Sequence, residues 1–143
     1  MILTRQNFAV ASVHESGVLD TCTFIDLELI DPAALPTIPE LTAVTVAELH
    51  QGVAMAKDAV ARAGRMERLG VAVTDFEPLP LDGVAAARYG SLVTLTLASG
   101  RDPRPRRMDL LIAAIASARD LPLYTRNSED FVGLYDVLTV VSV

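Results

Sequence analysis

The sequence predicts an α/β domain of three layers, in which a central, mostly parallel sheet is flanked by helices. Short apolar or β-branched runs alternate with longer amphipathic stretches, which is the order of βα units. The 143 residues suffice for one domain with a buried core, and no repeat or linker divides them. We expect this domain to span residues 17–143, and residues 1–16 to be an N-terminal extension because they show no clear hydrophobic period.

The predicted strands are short runs of apolar and β-branched residues, at 17–20, 42–46, 122–125 and 137–143. The predicted helices have apolar residues at helical spacing, at 24–29, 46–53, 58–72, 83–98 and 109–119. Hydroxyls at 21–23 are expected to cap the first helix, and Asp82 to cap the fourth. Prolines predict loops at 31–40 and 101–107 and an extended segment at 76–81.

Composition predicts a folded cytoplasmic protein that does not enter a membrane. Hydrophobic residues make up 51% of the chain, which excludes disorder as a description of the whole. No apolar run reaches the roughly 18 residues that span a bilayer, and the N-terminus has no secretory h-region. The single cysteine, Cys22, cannot form an internal disulfide, which favours a reducing compartment, and we expect it to pack as a small apolar residue.

The net charge of −6 is not that of a general nucleic-acid binder, because phosphate contacts require Lys or Arg. Four arginines nevertheless fall within seven residues, at Arg101, Arg104, Arg106 and Arg107. This cluster is either a solvated loop or the candidate contact with phosphate. Arg126 is a second cation of uncertain role, with either a neighbouring carboxylate or a substrate phosphate as its partner.

Acidic and amide side chains follow predicted strands or begin predicted helices in four separate segments. Asp20 ends the first strand, and Glu48 lies in the first turn of the helix that follows the second strand. Asp109 begins a buried helix, and Asn127 and Asp130 follow the strand at 122–125. In open α/β sheets the carboxyl ends of the strands carry the chemistry. Crowded carboxylates share protons or hold a cation, and oxygen ligands without His or Cys favour Mg²⁺ or Mn²⁺.

Each of these residues also has a purely structural explanation. Asp20 could cap the helix that follows it, and the helix dipole favours acids in a first turn, where Glu48 and Asp109 are predicted. Asn127 suits a tight turn. The sequence favours the metal-ligand interpretation for the three acids because they occur together at strand ends.

These segments resemble the PIN-domain family and, within it, the VapC ribonuclease toxins of type II toxin–antitoxin pairs. The resemblance rests on four segments in the order of the family: Val18-Leu19-Asp20-Thr21, Thr45-Val46-Ala47-Glu48-Leu49, Asp109-Leu110-Leu111-Ile112-Ala113-Ala114 and Thr125-Arg126-Asn127-Ser128-Glu129-Asp130-Phe131. It extends over residues 17–143 and implies a PIN-like sandwich.

By this resemblance Asp20, Glu48 and Asp109 are the first three family acids and the metal ligands. The fourth family acid stands directly after the Thr-Arg of the late strand, where this chain has Asn127. Asp130, three residues further on, could replace it if that turn is helical. Both are therefore candidate catalytic residues, and the departure leaves open whether one or two ions bind.

The resemblance implies a Mg²⁺- or Mn²⁺-dependent endoribonuclease toxin that leaves a 5′-phosphate and a 3′-hydroxyl, with tRNA and rRNA as candidate targets. It also implies a homodimer and inhibition by a cognate VapB-like antitoxin. Two other functions are considered. One is a catalytically weak PIN module that binds RNA or the antitoxin. The other is a phosphatase of the haloacid-dehalogenase kind, which Asp20 at a strand end suggests; however, this chain lacks the second Asp that such enzymes have two residues further on.

Overall fold

A computed structural model describes residues 14–143, and it contains one sheet of four parallel strands. The strands are β1 (Ser16–Leu19), β2 (Ile38–Glu40), β3 (Leu123–Thr125) and β4 (Val140–Ser142). Their order across the sheet is β2-β1-β3-β4. The predicted α/β class is confirmed, and every pairing between the strands of this sheet is parallel.

Five helices pack against this sheet: α1 (Thr21–Ile25), α2 (Ala43–Ala54), α3 (Ala59–Asp75), α4 (Gly83–Ala98) and α5 (Arg107–Ala118). Short 3-10 turns lie at Leu27–Leu29, Pro32–Ala34, Arg104–Arg106 and Ser128–Phe131. The first four helices begin at a side-chain cap, from Asp20, Thr42, Asp58 and Asp82, that accepts a hydrogen bond from the backbone N–H three residues later. Among residues 14–143, no helix has the length and apolar character needed to cross a membrane.

Alternate residues of the central strands enter two different core layers, as the twofold period of a strand requires. Val18 and Leu123 pack into the layer beneath α4 and α5, where Ile112 and Ile115 are fully buried. The next residue in each strand, Leu19 and Tyr124, enters the opposite layer with Phe24 and Leu49. The sheet is therefore covered on both faces, which gives the predicted three layers.

The predicted second strand at 42–46 is wrong. Thr42 instead caps α2, with its Oγ1 accepting from the Thr45 N–H at 3.1 Å, and the β-branched residues Val44 and Thr45 are buried on that helix. The second strand lies earlier, at Ile38–Glu40, inside the predicted loop. This segment forms a strand because it pairs with β1, and its proline-containing sequence does not predict that pairing.

Other predicted boundaries also shift. Asp20, and not the hydroxyls at 21–23, caps α1, which ends at Ile25. The predicted loop at 101–107 contains a 3-10 turn, and α5 begins at Arg107. Only Val140–Ser142 of the predicted final strand forms sheet pairs. Of the predicted extension, residues 1–13 lie outside the described residues, and β1 begins at Ser16.

Gly17 allows β1 and β3 to pack closely, and we expect Gly17→Ala to lower the free energy of unfolding by about 1–3 kcal/mol. A Cβ at this position would lie 2.7 Å from Cδ1 of Tyr124, whose ring is buried. Gly90→Ala is the matched control, since Gly90 lies on the exposed face of α4 and its added Cβ would meet nothing outside the helix backbone within 4 Å; it should stabilise by about 0.5–1 kcal/mol. Urea denaturation measures both, and equal effects would contradict the packing argument.

Candidate active site

Asp20 lies where β1 ends, and its carboxylate is held from two sides. Oδ1 accepts the Thr23 N–H at 2.9 Å, and Oδ2 accepts the Thr125 hydroxyl at 2.6 Å. Thr125 ends the neighbouring strand β3, and the Asp20 N–H donates to the Tyr124 carbonyl at 3.2 Å. Asp20 is only 4% exposed, so these contacts fix its orientation and compensate for its burial.

Glu48 lies in the second turn of α2, not in the first turn that the sequence predicts, because α2 begins at Ala43. The Thr21 hydroxyl donates to Glu48 Oε1 at 2.6 Å, and Thr21 Oγ1 lies 3.0 Å from Thr45 Oγ1. The hydroxyl that directly follows Asp20 in the chain therefore orients a second acid 27 residues further on.

Asp109 lies in the first turn of α5, partly buried, as the sequence predicts. Burial, followed by the negative charges of Asp20, Asp130 and Glu48, raises the Asp109 pKa from 3.8 to about 6, against an opposing effect of Arg106. The predicted acids from four segments are thus near enough for their charges to act on one group.

The two candidates for the fourth position differ in their surroundings. Asn127 is exposed; its backbone N–H donates to Thr125 Oγ1 at 2.9 Å, and its side chain makes no hydrogen bond within the described residues. Asp130 lies in a 3-10 turn and pairs with Arg106 at 3.1 Å. The turn is helical, as an Asp130 role requires, but an arginine already contacts its carboxylate.

Most of the clustered arginines contact groups of the protein itself. Arg104 pairs with Asp102 at 3.1 Å, and Arg101 donates to the Glu129 carbonyl. Arg126 pairs with Asp26 at 3.2 Å, so a carboxylate is its partner in this structure.

Cys22 is exposed, so the prediction that it packs as a small apolar residue is wrong. Burial of part of the side chain raises the pKa of its thiol, and the charges of Asp20, Asp109, Glu48 and Asp26 add to this effect. Cys22 therefore lies within the electrostatic field of the acidic site.

Sequence reasoning did not find Thr125 or the pairing of Arg106 with Asp130. Thr125 could have been found, because residues that follow neighbouring parallel strands lie side by side once the strand order is known. Arg106 lies three residues before Asp109, but which carboxylate it meets depends on the turn at Ser128–Phe131, whose path the sequence does not specify.

The donor set consists of carboxylates and hydroxyls, which suits Mg²⁺ or Mn²⁺ and not zinc. In residues 14–143 no three Asp, Glu, His or Cys side chains are gathered closely enough to form a metal site without rearrangement. Burial and, after it, the charges of Asp20, Asp130 and Glu48 raise the pKa of Asp109, and a cation would offset the part that is due to these charges. The residues therefore fit such an ion in chemistry and charge.

No protein-family model matches the chain. It is 42% identical over 128 residues to Ribonuclease VapC5 of Mycobacterium tuberculosis, an alignment that covers 87% of this chain and 92% of that protein. The chain belongs to the VapC family.

Solved structures agree with this membership. VapBC-5 from Mycobacterium tuberculosis, a member of the VapBC family of toxin–antitoxin systems, has a TM-score of 0.80 and 36% identity, covering 91% of this chain and 100% of that chain. FitAcB from Neisseria gonorrhoeae has a TM-score of 0.67 at 27% identity, covering 87% and 96%. VapBC2 from Rickettsia felis, at 22% identity and a TM-score of 0.68, covers 90% and 98% and supports the fold alone. The predicted PIN-like fold of the VapC family is confirmed.

In the absence of divalent metal, we expect this VapC-family protein to lose stability as pH rises from about 4 to about 6. The folded state holds the Asp109 proton up to about pH 6, whereas the unfolded chain releases it near 3.8, so ionising Asp109 costs folding free energy above that range. Asp109→Asn should remove this decline and stabilise the protein at neutral pH by about 1–2 kcal/mol, a value reduced for solvent screening.

Urea denaturation in EDTA across this pH range measures the effect. Asp102→Asn is the control, because this exposed carboxylate has a pKa that hydrogen bonds from Arg104 lower, and its contribution is lost as pH falls. A decline that persists unchanged in Asp109→Asn would contradict the assignment.

Proposed function

We propose that this protein is a divalent-metal-dependent endoribonuclease toxin, with Asp20, Glu48 and Asp109 as its metal ligands. The observation that carries the proposal is that hydrogen bonds from Thr125 and Thr21 hold Asp20 and Glu48 at the carboxyl ends of the strands of a VapC fold. Burial and the charges of these acids also raise the pKa of Asp109. The 42% identical relative is named a ribonuclease, which supports RNA as the substrate.

A bound Mg²⁺ or Mn²⁺ would polarise a phosphodiester and lower the pKa of an attacking water. The chain provides oriented carboxylates for this purpose. Thr125 and the Thr23 N–H hold Asp20 in one rotamer, and Thr21 holds Glu48. Such support is typical of residues that must keep a fixed geometry around an ion. Among residues 14–143 no such anchor holds the Asp109 carboxylate, so we propose that it is the acid that moves towards the others.

Asn127 is neutral and exposed beside this group, and its amide can donate to or accept from the substrate or a water. It cannot supply the charge of the family's fourth acid. We therefore assign Asn127 a role in hydrogen bonding. Products with a 5′-phosphate and a 3′-hydroxyl are expected from attack of water on phosphorus.

The proposed partners follow from the relatives. VapBC-5 is a member of a toxin–antitoxin family, and a cognate VapB-like antitoxin is proposed as the inhibitor of this chain. An arginine from the antitoxin would complement the acidic site with charge-assisted hydrogen bonds. A homodimer and a cytoplasmic location complete the proposal.

A catalytically weak module that binds RNA or the antitoxin is the second candidate. It is favoured by one departure, the neutral Asn127 in place of an acid, together with the engagement of Asp130 by Arg106. The two candidates differ in turnover, which the next experiment measures.

We expect the purified protein to cleave RNA only when Mg²⁺ or Mn²⁺ is present. Asp20→Asn and Asp109→Asn should each lower the cleavage rate by about 100-fold or more, because each removes a ligand charge. Asp102→Asn, on the exposed loop, is the matched control and should cleave as the wild type does. Gel analysis with end-specific enzymes measures rates and product ends. Cleavage undiminished in Asp20→Asn and Asp109→Asn contradicts the mechanism, and RNA binding without cleavage favours the second candidate.

Cys22 provides a test of metal binding that does not depend on activity. A divalent ion at the acids would offset the charges of Asp20, Asp109 and Glu48 that raise the thiol pKa, so more thiolate would form at a given pH. We expect Mg²⁺ to accelerate alkylation of Cys22 by the neutral reagent iodoacetamide about threefold near pH 8.

The alkylation is followed by mass spectrometry, which is unambiguous because the chain has one cysteine. NaCl at equal ionic strength should produce a smaller change, and Asp109→Asn should weaken the Mg²⁺ effect. An identical rate with and without Mg²⁺ would argue against an ion at these carboxylates.

A further inference from the structure

The ion pair between Arg106 and Asp130 is the least exposed of the four within residues 14–143. Its side chains are 24% and 35% exposed, whereas those of the Arg104–Asp102 pair are 78% and 50% exposed. Partial burial makes the attraction between the charges stronger than in water, and it makes loss of either partner costly. The pair is therefore held more strongly than the exposed ion pairs of this surface.

The Arg106 guanidinium group depends on this pair for its hydrogen bonding. Its Nε is buried and has no hydrogen-bond partner in the part of the chain that the structure describes. The guanidinium charge is consequently stabilised by Asp130 through Nη1 and by the field of Asp109, whose ionised form it favours in return. If Asp130 left Arg106 for a metal ion, the partly buried guanidinium charge would lose its carboxylate partner.

Neither candidate for the fourth position thus provides a free negative charge to the site. Position 127 is a neutral amide, and the carboxylate at 130 is already neutralised. In the part of the chain that the structure describes, the site then has three carboxylates without an ion-pair partner, on Asp20, Glu48 and Asp109. We infer that Arg106 is a positioning residue that acts as an internal cation, holds Asp130 and limits the acidic site to one divalent ion. This inference rests on the proposed metal dependence and adds the number of ions and the residue that sets it.

The test is titration of the full-length protein with Mn²⁺, followed by calorimetry and by the electron paramagnetic resonance signal of free Mn²⁺. We expect one Mn²⁺ per chain in the wild type. Arg106→Met should bind the first ion about tenfold more tightly and acquire a second site, because it removes a nearby positive charge and frees Asp130. Arg106→Lys should bind a single ion as the wild type does. Arg104→Met, which breaks the exposed pair with Asp102, is the matched control and should leave binding unchanged.

Two ions bound to the wild type would overturn the inference and leave the proposed metal dependence standing. The wild-type stoichiometry decides this even if Arg106→Met does not fold. A folded Arg106→Met protein with wild-type stoichiometry and affinity would also overturn it. Absence of Mn²⁺ binding to the wild type would instead overturn the proposed metal dependence, and the inference with it.

Discussion

The site depends on one buried hydrogen bond, from the Thr125 hydroxyl to Asp20 Oδ2. It joins the ends of two neighbouring parallel strands, and the same carboxylate caps α1 through its other oxygen. Asp20, a proposed metal ligand, is thereby also a structural residue. Because the backbone N–H of Asn127 also donates to Thr125, the position of the late turn is set from the same point.

Around this fixed carboxylate the protein accumulates negative charge that works against its own stability. Helix α5, whose inner face is fully buried, carries Asp109 into the field of the other acids. The family fold and the tight apolar layers compensate for this cost, as is usual where a functional group is kept in an unfavourable state. The positive charge of Arg106 offsets part of the repulsion among the acids, beside Asp130, and a bound cation would offset the rest.

The sequence was sufficient for the features that local patterns encode. Helix α4 from Asp82 onwards, the strand ending at Thr125 and the placement of Asp20 and Asp109 all followed from capping residues and apolar periods. It failed at β2, because β-branched residues after Leu41 suggested a strand where Thr42 caps a helix. Pairing with β1, which is a tertiary interaction, decides that Ile38–Glu40 is the strand. The Arg106–Asp130 pair was missed for the same reason, since 24 residues separate its partners.

The hydrogen bond between Thr125 and Asp20 spans 105 positions of the chain, and this distance matters during synthesis. The strand β1 pairs with β3, so a nascent chain that has emerged only as far as α4 lacks both this pairing and Asp109. Contacts between residues so far apart in the chain form late and make folding slower. The acidic site can therefore be assembled only when almost all of the polypeptide has left the ribosome, and a prematurely terminated product carries no complete site into the cell.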